Sequence, residues 1–251
     1  MSIGLALTLI FAPAVFWIGY AYYHDRIKPE PLVLTAFSYF LGFLSGWLCL
    51  HAYDILLPVL GIPADPERMP GLSLEFLLYC IVVVGLVEEA FKFLPFLAAV
   101  TRFSDFNEEI DGIFYASACA LGFASYENLF YLPALTGFAL YGRAIASPLS
   151  HTVFASVWGH AVGTACVRRQ RLWPAILRGV GLAALLHGLF DFLTLSPLLR
   201  LFSALLLLAV WLWRIRTVES LARKQMPESR MKRALSVSDS DSVSKKLNEL
   251  K

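Results

Sequence analysis

Long apolar blocks alternate along this chain with short breaks marked by proline, glycine or charge, and each block approaches the length of a membrane span. A span needs about 20 apolar residues at about 1.5 Å rise per residue. Residues 3–23 form the first block. It has no basic leader, and its apolar run exceeds the roughly 7–15 residues of a signal-peptide core, so a retained helix is expected. Pro29 and Pro31 break the chain after it. A second block covers 32–60, and proline and glycine mark 61–71 as a loop. A third runs over 72–100 with Pro95 inside it, where a kink is expected. The polar stretch 101–112 leads to a fourth block, 112–132, closed by Pro133. Residues 134–147 read as a short interfacial or re-entrant piece, and Pro148 as the opening of a fifth span, 149–167. Arg168, Arg169 and Arg171 stop it. A sixth span starts near Pro174 and ends at Leu195; a seventh follows Pro197 and ends near Trp211 and Trp213. Ser-, Asp- and Lys-rich sequence over 217–251 predicts a disordered tail. The expected architecture is all-α, a polytopic membrane bundle of about seven transmembrane helices over residues 1–216, with the chemistry in the spans of 72–195.

Composition agrees. The chain is 58% hydrophobic and 16% charged, against about 45–50% and about 25% for a soluble domain. The net charge of +2 decides little, but the positions of the basic residues decide orientation. Arg26, Lys28, Arg102, Arg168, Arg169, Arg171, Arg214 and Arg216 follow odd-numbered spans, whereas the even-numbered connections hold only Arg68, Arg143 and Arg200. The positive-inside rule then puts the N-terminus outside and the tail in the cytoplasm of a multi-pass cell-membrane protein. The partner surface is the lipid bilayer; no nucleic-acid partner is expected. Cys49, Cys80, Cys119 and Cys166 all lie in apolar blocks without a CxxC pair, which argues against a thiol zinc site or a disulfide framework.

Charge inside the blocks carries the chemistry. Glu88, Glu89 and Lys92 interrupt the third span, where a charge at the bilayer centre costs about 2.5–3.5 kcal/mol even on the lenient insertion scale. Glu88 and Lys92, four apart, share a helix face; Glu89 points about 100° away, and one lysine is not expected to hold both carboxylates. Glu127 and Asn128 in the fourth span have no basic neighbour within it, so they need a partner from another helix. His151 and His160 lie on opposite faces of the fifth, so at most one joins a site. His187 and Asp191 share a face in the sixth, where the aspartate can take one ring nitrogen and leave the other for a metal or a water. Each group alone has a structural explanation: an ion pair that fixes register, an interhelical hydrogen bond, a satisfied buried histidine. Their accumulation in four consecutive spans favours a buried site, and carboxylates with imidazoles are the ligands and bases of metal-assisted hydrolysis. There is no HExxH and no serine-nucleophile motif.

These residues resemble the PrsW family of intramembrane proteases, distant relatives of the type II CAAX prenyl endopeptidases, over roughly residues 20–195. HDRIKPEP follows the first span, EEAFK at 88–92 fits an EExxK motif, Phe123 and Glu127 an FxxxE motif, and HGLFD at 187–191 an HxxxD motif; His151 matches the family's span-five histidine. The resemblance implies peptide-bond cleavage at the membrane with a metal, zinc being expected. It implies Glu88 as the water-activating base with Glu89 in support, Glu127, His151 and His187 as ligands, Lys92 holding Glu88, and Asp191 orienting His187. The implied substrate is a single-span membrane protein such as an anti-sigma factor, cut first on its extracytoplasmic side in regulated intramembrane proteolysis. A non-catalytic scaffold and a proton or metal transporter are the rival expectations.

Overall fold

α5 (Glu109–Tyr131) is the axis of the molecule, and its sequence explains why. Ala116, Ser117, Ala118, Cys119, Ala120, Gly122, Ala124 and Ser125 keep it thin, and it is buried on all sides from Ile110 to Ser125. Small residues let neighbouring backbones close in, which is how helices pack where lipid removes the hydrophobic drive between them. In a computed structural model, which describes residues 2–24, 28–62 and 72–225, seven helical rods surround or include this axis. α1 (Ile3–His24) and α2 (Leu32–Val59) come first. α3 (Leu74–Leu78), a π-helical turn (Tyr79–Gly85) and α4 (Leu86–Ala98) then join end to end as one rod. α6 (Gly137–Val167), α7 (Leu172–Leu195) and α8 (Arg200–Gln225) complete the set. There is no strand among the described residues.

Three close crossings set the geometry. A Cβ on Gly42 of α2 would run into the Cys119 carbonyl, and one on Gly122 into that of Tyr39, so α2 and α5 touch backbone to backbone. Gly112 and Gly159 do the same for α5 and α6. Gly85 and Gly188 bring the π turn against α7: a Cβ on either would collide with the carbonyl of Ala184 or Cys80. π turns often accompany functional sites, and this one sits directly before Glu88. Near the centre, Trp158 packs edge-on against Phe96 and Phe93 at 4.9 and 5.4 Å, each pair adding about 0.5–1.5 kcal/mol beyond area.

The outer surface suits hydrocarbon. Leu201, Leu205, Leu208 and Leu212 form an exposed stripe along α8 at helical spacing. Four helices, α1, α2, α7 and α8, are long and apolar enough to cross a membrane by length and composition alone. The interior rods, α3 to α4, α5 and α6, carry most of the polar residues and owe their place to burial among the others.

Two expectations change. The piece at 134–147 is not separate: α6 runs unbroken from Gly137, with Pro148 inside it. A proline costs one helical hydrogen bond, but within a membrane bundle neighbouring helices sustain the rod through it. The last helix also continues past residue 216 to Gln225, so the onset of the expected tail is helical. The rest of that tail, 226–251, and the loop over 63–71 lie outside the described residues.

Candidate active site

The close approach of α7 to the π turn delivers His187 to the EExxK segment of α4. His187 Nδ1 lies 2.9 Å from Glu89 Oε1, and His187 Nε2 lies 3.7 Å from Glu88 Oε2. From α6, His151 sets its ring 5.1 Å from that of His187, roughly perpendicular to it. From α5, Glu127 Oε2 reaches to 2.8 Å from His151 Nε2. Phe154 stacks on the His187 ring at 5.5 Å, and Phe123 flanks His151 at 5.6 Å, fixing both imidazoles between apolar faces. Glu88, Glu89, Lys92, Glu127, His151 and His187 are all buried. The expected residues from four rods therefore do converge.

Their pairing differs from expectation. Lys92 Nζ donates to Glu89 Oε1 at 2.9 Å and lies 3.6 Å from Glu88 Oε2, so one ammonium does serve both carboxylates. The long side chain, running back along the helix, bridges the 100° between them. Glu89, not Glu88, is the lysine's closer partner, and its second oxygen accepts the indole N–H of Trp158 at 2.8 Å. Asp191 stands 3.6 Å from His187 Nε2, whereas Glu89 is the carboxylate close to the other ring nitrogen. His160 lies elsewhere, beside Trp213 and Thr164. The four described cysteines are free and dispersed.

Three residues enter that the sequence did not single out for the site. Arg143 of α6 lies 3.6 Å from Glu127 Oε2 with its guanidinium over the Tyr131 ring; it fell in the piece read as interfacial. Trp158 is one of them, as the Glu89 donor. Tyr53 of α2 has a buried hydroxyl without a hydrogen-bond partner, within electrostatic reach of Glu88 and Glu127. The signal for Tyr53 was a polar pair, Tyr53-Asp54, late in an apolar block.

Unsatisfied atoms mark the site. Buried side-chain polar atoms in proteins are nearly always hydrogen-bonded, so exceptions need a reason. Here both amide atoms of Asn128, Arg143 Nε and His151 Nδ1 lack a hydrogen bond, and Glu88 Oε2, Glu127 Oε2 and His187 Nδ1 have an ion-pair neighbour but no well-directed hydrogen bond. They occupy the end of the bundle opposite the basic loops, where α2, α5 and α7 finish. Such a set is what a metal ion or water satisfies. One donor atom each from Glu88, His151 and His187 lie within 4.8 Å of one another, and this group can hold a metal ion. Asp191 and Arg143, whose side chains are 25% and 32% exposed, form the partly open rim.

A buried acid–imidazole cluster at the meeting point of long apolar helices defines the class: an integral membrane protein with an internal site that can hold a metal ion. The particular family follows from comparison. Residues 30–215 match the PrsW family of intramembrane metalloproteases. Relatives described as Protease PrsW include that of Clostridioides difficile, 34% identical over 80% of this chain and 82% of its own length. That of Oceanobacillus iheyensis is 31% identical over 72% and 79%, and that of Geobacillus kaustophilus 29% identical over 87% and 92%. No solved structure matches. The chain belongs to the PrsW family and is a membrane peptidase.

Proposed function

We propose that this chain hydrolyses a peptide bond of a single-span membrane protein, with zinc held by His151, His187 and one of two glutamates. The observation that carries the reading is the convergence of Glu88, His151 and His187 from three rods. Zinc bound there would supply Lewis acidity to polarise the scissile carbonyl and to bring a water toward a pKa of about 7. The protein's own residues do the rest. Glu89 backs His187 and Glu127 backs His151, each carboxylate holding its imidazole in place as the outer partners of metal ligands do. Lys92 offsets the buried charge of the glutamate pair.

The two glutamates can divide their roles in two ways. In the assignment carried over from the family motifs, Glu127 ligates and Glu88 takes the water's proton. The converging donor atoms favour the other, in which Glu88 ligates and Glu127, already against His151, takes the proton. Metal content separates them: Glu88→Gln loses zinc in the second arrangement and keeps it in the first, and both arrangements lose cleavage. A Glu88→Gln protein that still cuts a membrane-embedded reporter would overturn the hydrolase reading itself. A scaffold would show only a stability change, and a transporter would show flux in proteoliposomes.

The seven rods are read as seven crossings, with the N-terminus outside and the C-terminus cytoplasmic. In that orientation the cluster leans to the extracytoplasmic half, which fits a first cut on that side of a substrate such as an anti-sigma factor. Cysteine labelling that reaches position 151 only from the cytoplasm would reverse the orientation.

A further inference from the structure

Arg143 stands at the partly open rim of the site, and neither division of roles between Glu88 and Glu127 uses it. Its charged neighbour, Glu127 Oε2 at 3.6 Å, is too far for a hydrogen bond. That same oxygen lies closer to His151 Nε2, at 2.8 Å. The guanidinium rests on the Tyr131 ring, 4.4 Å from its centre, which holds the plane of the donor fork in place. Nε is buried without a hydrogen bond, while the side chain as a whole is 32% exposed. An arginine so placed offers a charge and five N–H donors, and makes no hydrogen bond among the described residues.

The helix beneath it continues the pattern. Arg143, Ser147 and His151 are spaced four apart in α6, on one face. Each carries a buried polar atom that lacks a hydrogen bond: Nε, Oγ and Nδ1. Ser147 is 8% exposed, and no bond within the helix accounts for its hydroxyl. From α5, Asn128 adds both atoms of a buried, unpaired amide. Unmet donors and acceptors that run inward from a half-open cation to an imidazole of the metal-capable group are complementary to an extended peptide that carries an acid. The peptide main chain supplies one amide and one carbonyl per residue, and the guanidinium fork matches a carboxylate. Arg143 Nη2 and His151 Nε2 both neighbour one Glu127 oxygen, so the guanidinium lies within about two extended residues of the imidazole at about 3.3 Å per residue.

Resting on the peptidase reading of the site, we propose that Arg143 is a specificity residue. It binds an aspartate or glutamate of the substrate, within about two residues of the cut bond on the side toward the rim. Ser147 and Asn128 take the main chain between them.

The test uses the full chain in proteoliposomes with a single-span reporter. Aspartate, or asparagine as its neutral match, is placed in turn at the positions flanking the cut bond. The wild type should cut the best aspartate reporter with about tenfold higher kcat/KM than its asparagine match, the scale of one charge-assisted contact, and the difference should lie in KM. Arg143→Gln should cut the two alike. Arg143→Lys, which keeps the charge and loses the fork, should show a reduced preference and keeps the test decisive should the glutamine variant misfold. Binding supplies a readout without turnover: Glu88→Gln protein should hold the aspartate reporter about tenfold more tightly than the asparagine one, and Arg143→Gln added to it should erase the difference. Equal cleavage of the two reporters by the wild type at every position would overturn the proposal and leave the peptidase reading standing. So would an Arg143→Gln protein with lowered kcat on both reporters and the preference intact, which would make the arginine a positioning residue for Glu127. A Glu88→Gln protein that still cuts would overturn both.

Discussion

The two ends of this bundle bury polar groups under opposite rules. At the basic end most groups are satisfied: the partly exposed Glu109 takes two Arg168 N–H groups at 2.7 and 3.0 Å, and Asp111 Oδ2 accepts the Asn107 and Glu108 amides at 2.8 and 2.7 Å, capping α5, with Asp111 Oδ1 the exception. At the other end Glu88, Glu127, Asn128, Arg143, His151 and His187 all leave buried atoms without a well-directed hydrogen bond. A satisfied buried group fixes structure; an unsatisfied one holds a place for something else. The departures at the basic end are Asp111 Oδ1, buried without a hydrogen bond, and Arg214, held by Ser117 and Ser156 with no carboxylate within ion-pair distance among the described residues.

The sharpest way to break this comparison is to remove an unsatisfied group. Glu88→Gln should lower cleavage of a membrane-embedded reporter by about 10³-fold, the scale of a lost acid–base or ligand group, while the thermal midpoint in detergent stays near that of the wild type. A large fall in midpoint instead would place Glu88 among the structural groups.

Its neighbour should behave in reverse. Glu89 has both oxygens engaged, by Lys92 and Trp158. Glu89→Gln leaves the buried ammonium with only its longer 3.6 Å ion-pair contact to Glu88 and should cost about 3 kcal/mol of stability. The double change Glu89→Leu with Lys92→Met should recover most of that loss, because removing a whole buried pair is far less harmful than breaking it. Chemical denaturation in mixed micelles measures both; a single variant as stable as the wild type would erase the distinction between the adjacent glutamates.

That distinction was beyond the reach of sequence. EExxK, FxxxE and HxxxD placed Glu88, Glu89, Lys92, Glu127, His187 and Asp191 on three helices, and the apolar blocks placed the helices. Register across helices was not legible. Whether Lys92 sits nearer Glu88 or Glu89 depends on which carboxylate Trp158 and His187 claim, and those arrive from α6 and α7. The π turn was hidden because it answers a tertiary demand, the contact of Gly85 with Ala184, rather than a local propensity. Pro148 misled because a proline signal assumes water on the far side of the break, and here the helix is held by neighbours.

Tyr53 sharpens the comparison from outside the motifs. Its buried hydroxyl, on α2, lies within electrostatic reach of Glu88 and Glu127 and has no well-directed hydrogen bond, so it is a candidate donor to a developing oxyanion. Tyr53→Phe keeps the ring and removes only the donor. The expected result is a fall of about 10²-fold in kcat with KM and zinc content unchanged. A drop in zinc content would make Tyr53 a support for the ligands, and full activity would return its hydroxyl to the unexplained.

The smallest effect belongs to the satisfied end. Arg168 grips Glu109 with two hydrogen bonds and Thr164 adds a third at 3.3 Å, tying the start of α5 to the end of α6. The guanidinium holds the Glu109 carboxyl below its ordinary range. A carboxylate whose folded value is depressed contributes stability above its unfolded pKa of about 4.3 and loses it as pH falls through the folded value. The pair is open to solvent, so screening leaves little of it. Arg168→Ala should lower the thermal midpoint by no more than roughly 2 °C at pH 7. The difference from wild type should shrink in high salt and vanish in acid. The Glu89–Lys92 pair, sealed from water, should show no such salt dependence. A large, salt-insensitive loss in Arg168→Ala would mean that the basic end is held as rigidly as the site, and the contrast between the two ends would then lie in chemistry alone.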